Sequence, residues 1–183
     1  MLSSQEFLRE STERSELIEQ LLAIGTALSS THDLGGLLNL ILMKSREITC
    51  SDAGSVYLID RSAEVPVLWF KVAQNDSKPA TSFREFAMPL TQNSLAGYVA
   101  LTGETLNIPD AYQLPTDLPY QLDRSFDRSI NYRTCSVLVL PMQNQEQETI
   151  GVLQLINRKH RADIVLSDEN AVANTQLSIH QKL

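Results

Sequence analysis

The residues of this chain that could do chemistry are suited to holding a molecule rather than to breaking one. Asp110 and Tyr112 stand just past a short run, Thr105-Leu-Asn-Ile108, that Pro109 must stop, so both lie at a strand mouth. Gln74, Thr134 and Gln154 are uncharged polar residues at positions that the surrounding strands would otherwise turn inward. Such groups fix a small ligand by hydrogen bonds. Catalysis asks for a nucleophile beside a base, a well-spaced carboxylate pair or a glycine loop that cradles phosphate, and the sequence offers none of these. Asp123 and Asp127 lie four apart beside Arg124 and Arg128, a spacing that makes ion pairs along a helix. The scattered His32, His160 and His180 read as surface histidines. The pattern predicts a regulatory binding module and no enzyme, and neither a cofactor nor a metal is required.

Charge and composition narrow the partners. Among 183 residues, 22 acidic side chains outweigh 15 basic ones, a formal charge of -7. A nucleic-acid partner needs a basic face, so that class is set aside. No run approaches the roughly 18 apolar residues of a membrane helix, and Met1-Leu-Ser-Ser-Gln-Glu6 has neither the basic nor the apolar region of a signal peptide. A cytoplasmic chain is expected, with no membrane partner. Cys50 and Cys135 are far apart and read as two buried free thiols, and no His/Cys cluster supports zinc.

These residues need elements to position them. Residues 1–30 carry a polar first half followed by Leu17, Leu21, Ile24 and Leu28 at coiled-coil spacing, which predicts a signalling and dimerisation helix. A second helix follows with Leu34, Leu37, Leu38, Ile41, Leu42 and Ile48 as its apolar face. Strands are expected over Ala53 to Asp60, Val65 to Val72, Phe83 to Leu90, Thr105 to Ile108, Cys135 to Met142 and Ile150 to Asn157. Between the third and fourth, Ser94 caps a short helix that Gly103 ends in the left-handed region. Residues 112–133 form a long irregular connection holding a short helix, the kind of segment that covers a binding site. From Ser167 a last helix begins, so residues 31–166 make the domain and 167–183 open a second signalling helix. The order implies an α+β fold: a central antiparallel sheet with helices packed on one face and a loop-covered ligand pocket on the other.

Four segments in this order resemble the GAF domain, a small-molecule-sensing module: Ala53-Gly-Ser-Val-Tyr-Leu-Ile-Asp60, Asn93 to Tyr112, Asn131 to Pro141 and Ile150 to Arg158. The phrasing is most similar to cyclic-nucleotide-type GAF domains of bacterial multidomain signalling proteins, whose outputs are HD-GYP phosphodiesterases, cyclases or phosphatases. That resemblance implies a cyclic nucleotide as the candidate ligand. It implies a ligand side built from Gln74, Ala96, Gly97, Asp110, Tyr132, Thr134 and Gln154. It also implies a structural lock in which Asn157 and Arg158 stand for an Asn-Lys pair and Arg158 meets Asp168. The aromatic residue that stacks on the base in that sub-class falls at about Ala73, so stacking is lost there. Neither cysteine has the following histidine of bilin-binding relatives, and two distant cysteines do not reproduce a methionine sulfoxide reductase. A homodimer through the N-terminal and C-terminal helices is expected. The competing reading is a GAF-shaped dimerisation spacer with no physiological ligand.

Overall fold

The computed structural model describes residues 34–62, 64–81, 83–166 and 172. The N-terminal seam Leu17, Leu21, Ile24 and Leu28, and the C-terminal helix start with Ser167 and Asp168, lie outside the described residues. The chain divides into two compact units, Met1–Leu40 and Ile41–Leu183.

Helix α1 covers Leu34–Thr49. Leu42 is fully buried and Arg46, one turn later, is 8% exposed, so the inward stripe ends in a guanidinium. Ile48, expected on the apolar face, is 77% exposed. It lies two residues past Arg46, about 200° around the helix, which turns it to solvent. Cys50 then adopts a left-handed backbone, φ 53°, and the chain reverses directly into strand β1, Ser51–Asp60.

Five more strands complete one sheet: β2 (Val67–Asn75), β3 (Phe86–Pro89), β4 (Leu106–Ile108), β5 (Val137–Gln143) and β6 (Thr149–Arg158). Their order is β3-β2-β1-β6-β5-β4 and every pairing is antiparallel. The fold is therefore α+β, with the long strands β1 and β6 at the centre and strands of four and three residues at the edges. Short edges leave few unpaired backbone groups to recruit another chain.

Period-two alternation assigns the faces. Ser55 pairs with Gln154 and Val56 with Leu153, so β1 and β6 alternate in step. One face brings Gly54 against Leu42 of α1; a Cβ on Gly54 would come within 2.9 Å of Leu42 Cδ1 and 2.8 Å of the Gln154 carbonyl. The other face carries Val137, Val139 and Val152 into a core with Leu95, Val99, Leu106 and Ile108. Leu95 and Val99 belong to helix α2, Leu95–Thr102, which the Ser94 hydroxyl caps by accepting from the Gly97 amide at 3.0 Å. Gly103, φ 71°, ends the helix as its amide donates to the Val99 carbonyl at 2.9 Å.

After β4 the chain crosses the mouth of this second face. Asp110 caps a single 3-10 turn, Ala111–Gln113, and a short helix α3 follows over Ser125–Ile130, closed by left-handed Asn131. The Gln121 amide donates to the Asn93 carbonyl at 3.0 Å and thereby ties the crossing segment to the start of α2. Among the described residues, no helix is long and apolar enough to cross a membrane.

Candidate functional site

Beneath the crossing segment lies a cavity of about 480 Å³, within the range that takes small organic ligands. Three strands supply its floor: Ser55 and Tyr57 from β1, Phe70 and Gln74 from β2, Gln154 and Ile156 from β6. The start of α2 (Ser94, Leu95, Ala96), α3 (Phe126, Asp127) and the residues Tyr132 and Thr134 close it. The wall is mainly apolar with a few inward polar groups, which gives affinity by burial and orientation by hydrogen bonds.

Five of the seven residues expected on the ligand side line this cavity: Gln74, Ala96, Tyr132, Thr134 and Gln154. Two do not. Gly97 faces the backbone before its own helix, where a Cβ would lie 2.0 Å from the Thr91 carbonyl oxygen, so its smallness serves packing. Asp110 turns away to cap the 3-10 turn through the Tyr112 amide at 2.9 Å and to pair with Arg133 at 3.1 Å. The guanidinium groups of Arg133 and Arg124 lie over the Tyr112 ring, 4.7 and 4.2 Å from its centroid, and stiffen the cover.

Two buried carboxylates hold the cavity wall. Asp127, 3% exposed, accepts from the Thr134 amide at 2.7 Å, from the Thr134 hydroxyl at 2.9 Å and from the Tyr112 hydroxyl at 3.0 Å. Its charge is thus spent on fixing Thr134, whose hydroxyl is left to offer lone pairs. Asp52, fully buried, accepts from the Tyr132 hydroxyl at 2.7 Å and from the Ser77 hydroxyl at 2.7 Å, with the Lys159 ammonium 3.1 Å away. Burial, reinforced by the Asp52 charge, raises the Tyr132 phenol far above its ordinary pKa, so Tyr132 stays a neutral donor.

Lys159 is a buried cation beside the expected lock. Along the end of β6, Asn157 and Lys159 are buried and Arg158 between them is exposed, so the inward cation is the residue after Arg158. Lys159 bridges Asp52 and Asp76, at 3.1 and 3.2 Å. Asp168, the partner expected for Arg158, lies outside the described residues. Asn157, left-handed at φ 55°, pins the chain by accepting from the Cys135 amide and donating to the Arg133 carbonyl, each at 2.7 Å. Arg46 completes the cluster. It pairs with Asp76, donates to the Asp52 carbonyl at 2.9 Å and donates to Gln74 Oε1 at 3.0 Å, while its Nε has no hydrogen-bond partner among the described residues. The Ser77 hydroxyl also accepts from the Leu166 amide at 2.6 Å. Hydrogen bonds therefore run from Tyr132 in the cavity wall through Asp52 and Ser77 to Leu166.

Burial pushes the Cys135 thiol up to about 11, which keeps it protonated and unreactive at neutral pH. Among the described residues no group of three or more His, Cys, Asp or Glu side chains could hold a metal ion. Sequence reasoning missed Arg46, Asp52, Asp76, Asp127 and Lys159 because charged residues read as surface; the burial of Arg46, Asp52, Asp127 and Lys159, and the pairing of Asp76 with two of them, are visible only once the strands are registered.

The family model that matches the chain is that of the GAF domain, over residues 33–177. A dual 3′,5′-cyclic-AMP and -GMP phosphodiesterase 11A from Takifugu rubripes is 32% identical over 179 residues, covering 93% of this chain and 18% of that protein. A dual 3′,5′-cyclic-AMP and -GMP phosphodiesterase 11 from Drosophila melanogaster is 33% identical over 105 residues, covering 55% of this chain and 6% of the relative. The chain thus spans less than a fifth of the length of either relative. Among solved structures, the nlh2 GAF domain of A. aeolicus in an inactive state superposes with a TM-score of 0.55 at 13% identity, covering 90% of this chain and 89% of the other. By the extent of the family match, and by the six-stranded antiparallel sheet carrying it, the chain belongs to the GAF domain family.

Proposed function

We propose that this GAF domain is the regulatory sensor of a larger signalling protein, binding a small molecule in the cavity and relaying occupancy through its flanking segments. The observation that carries the reading is the cavity itself: about 480 Å³, with Tyr132, Thr134 and Gln154 among the polar residues of a mainly apolar wall. A spacer whose pocket is filled by its own side chains is disfavoured by that volume. The candidate ligand is a cyclic nucleotide. The start of α2 at Ser94 to Ala96 borders the cavity, and helix N-terminal amides suit a phosphate. Relatives named for cyclic-AMP and cyclic-GMP chemistry support the same class. Asp127 does not oppose an anion in proportion to its charge, because three donors already converge on it. The bacterial setting, cytoplasmic location and output domain read from the sequence belong to this proposal as well.

Thermal denaturation with cyclic AMP and cyclic GMP tests it. A ligand at 100 times its dissociation constant adds about 2.7 kcal/mol. For a domain of this size each kcal/mol raises the midpoint by roughly 2–4 °C, so a rise of about 5–10 °C is expected. Thr134→Val should reduce it. No shift with either nucleotide at millimolar concentration would sink the cyclic-nucleotide assignment.

A further inference from the structure

The charges around the cavity mouth do not cancel. Arg84 lies in the connection between β2 and β3 and is the one basic side chain among the described residues that line the cavity. Its neighbour Phe83 meets Phe70 of β2 and Phe126 of α3, with ring centroids 6.3 and 5.8 Å apart, which holds this stretch of chain at the opening. The other charged groups there are already committed. Glu85 is paired with Lys71. Asp123 accepts from the Ser125 amide at 2.8 Å and lies within the field of Arg128. Asp127 takes its three donors, and Arg124 stands over the Tyr112 ring while donating to the Tyr112 carbonyl at 2.9 Å. Residues 123–128 thus carry two carboxylates and two guanidinium groups, which sum to zero. Arg84 is exposed and makes no hydrogen bond, ion pair or ring contact among the described residues, so its charge and its donor fork are left over.

We propose that Arg84 captures the ligand's phosphate, folding its guanidinium over the cavity mouth to supply the counter-charge that the cavity wall lacks. The proposal rests on the reading of this cavity as a cyclic-nucleotide site. A cyclic phosphate carries a full negative charge, whereas the start of α2 offers only the partial charge of a helix N-terminus, roughly half an elementary charge. Arg46 and Lys159 cannot make up the difference, because Asp52 and Asp76 already match them. A guanidinium presents a planar pair of donors that fits two phosphate oxygens. Its place at the rim follows from the same physics. An unpaired guanidinium buried in the empty cavity would lose its hydration with nothing in return, while one at the mouth stays solvated until an anion arrives.

Equilibrium dialysis with cyclic AMP, cyclic GMP, adenosine and guanosine tests the role, using Arg84→Lys, Arg84→Gln and Arg84→Glu, with Arg158→Gln as a control that removes the same charge outside the cavity. Arg84→Gln should weaken cyclic-nucleotide binding about 5-fold, the upper end for a charge pair that keeps one side in water. Arg84→Glu should weaken it further and Arg84→Lys less, while Arg158→Gln stays at the wild-type value. Nucleosides should bind the wild type and Arg84→Gln alike. Raising potassium chloride from about 50 to about 500 mM should weaken cyclic-nucleotide binding to the wild type more than to Arg84→Gln. Because Arg84 is exposed, its variants should keep the wild-type urea midpoint, read through Trp69, which confines the change to binding. Where nucleosides bind too weakly to compare, the order of the three variants and the salt dependence decide. Cyclic nucleotides that bind the wild type and Arg84→Gln equally would overturn the capture role and leave the proposed function standing. Equal weakening of nucleosides and cyclic nucleotides would also overturn it, since the loss would then not be one of charge. Absence of cyclic-nucleotide binding to the wild type at millimolar concentration would overturn both.

Discussion

Replacing Lys159 with methionine should be among the most damaging single changes to this domain, although its neighbour Arg158 should tolerate the same change. The Lys159 side chain is 1% exposed and balances a cluster in which Arg46 and Lys159 face Asp52 and Asp76. Methionine fills much of the same volume but removes the ammonium from between the two carboxylates. Asp76 is half exposed and keeps Arg46. Asp52 is fully buried, so its charge is the one left uncompensated. Breaking a buried pair from one side costs roughly 3–5 kcal/mol. The Tyr132 and Ser77 hydroxyls still donate to Asp52, which places the expectation near the low end, about 3 kcal/mol. With a urea slope of roughly 2 kcal/mol per molar, the midpoint should fall by about 1.5 M, followed through the single tryptophan, Trp69. Arg158→Met should lose no more than about 1 kcal/mol, as exposed charges do. Combining Lys159→Met with Asp52→Asn should recover part of the loss, because the buried charge disappears with its partner. Equal midpoints for Lys159→Met and Arg158→Met, or strict additivity in the double variant, would refute the buried pair.

Two further expectations follow from the same geometry and from the flanking sequence. Burial works against the Asp76 carboxylate, but its bonds and charge contacts with Arg46 and Lys159 outweigh it and hold the pKa below the ordinary value. The stabilisation is then complete above the unfolded-state pKa near 3.9 and is lost as pH falls through the lower folded value, so Asp76→Asn should flatten the acid limb of stability against pH; an unchanged limb would refute it. The chain should sediment as a homodimer that Leu21→Glu dissociates without unfolding, since Leu17, Leu21, Ile24 and Leu28 need an apolar partner; a wild-type monomer at high micromolar concentration would refute that.

The fold was legible because most of its signals are local. Ser94, Gly103 and Pro109 punctuate α2 and β4 through backbone chemistry that needs no tertiary context. Alternation in β1, β5 and β6 fixes which side chains share a face, so Ser55 and Gln154 turn to the cavity side, whereas Gln74, in register with Gly54, turns to Arg46 of α1. Boundaries were less secure where packing overrides propensity: β3 begins at Phe86 rather than Phe83, because Phe83 leaves the strand to meet Phe126.

The site was only half legible, and the missing half is electrostatic. Arg46 sits where helix periodicity calls for an apolar residue, one turn beyond Leu42, and it is tolerated there because Asp76, the Asp52 carbonyl and Gln74 lie within reach of its fork. Asp76 and Gln74 are far from it in sequence, so no short window along the chain could reveal the full compensation. The same holds for Asp127, which is seven residues from Thr134 in sequence but is bonded to it only after α3 folds back over the cavity. Charged residues become legible as site residues when the register of β1, β2 and β6 brings opposite signs to one end of the sheet. Here that end also holds Leu166, through Ser77 and Asp52. Because Tyr132 is both a wall of the cavity and a donor to Asp52, any ligand that displaces its hydroxyl must also disturb the bonds that hold Ser77 and Leu166.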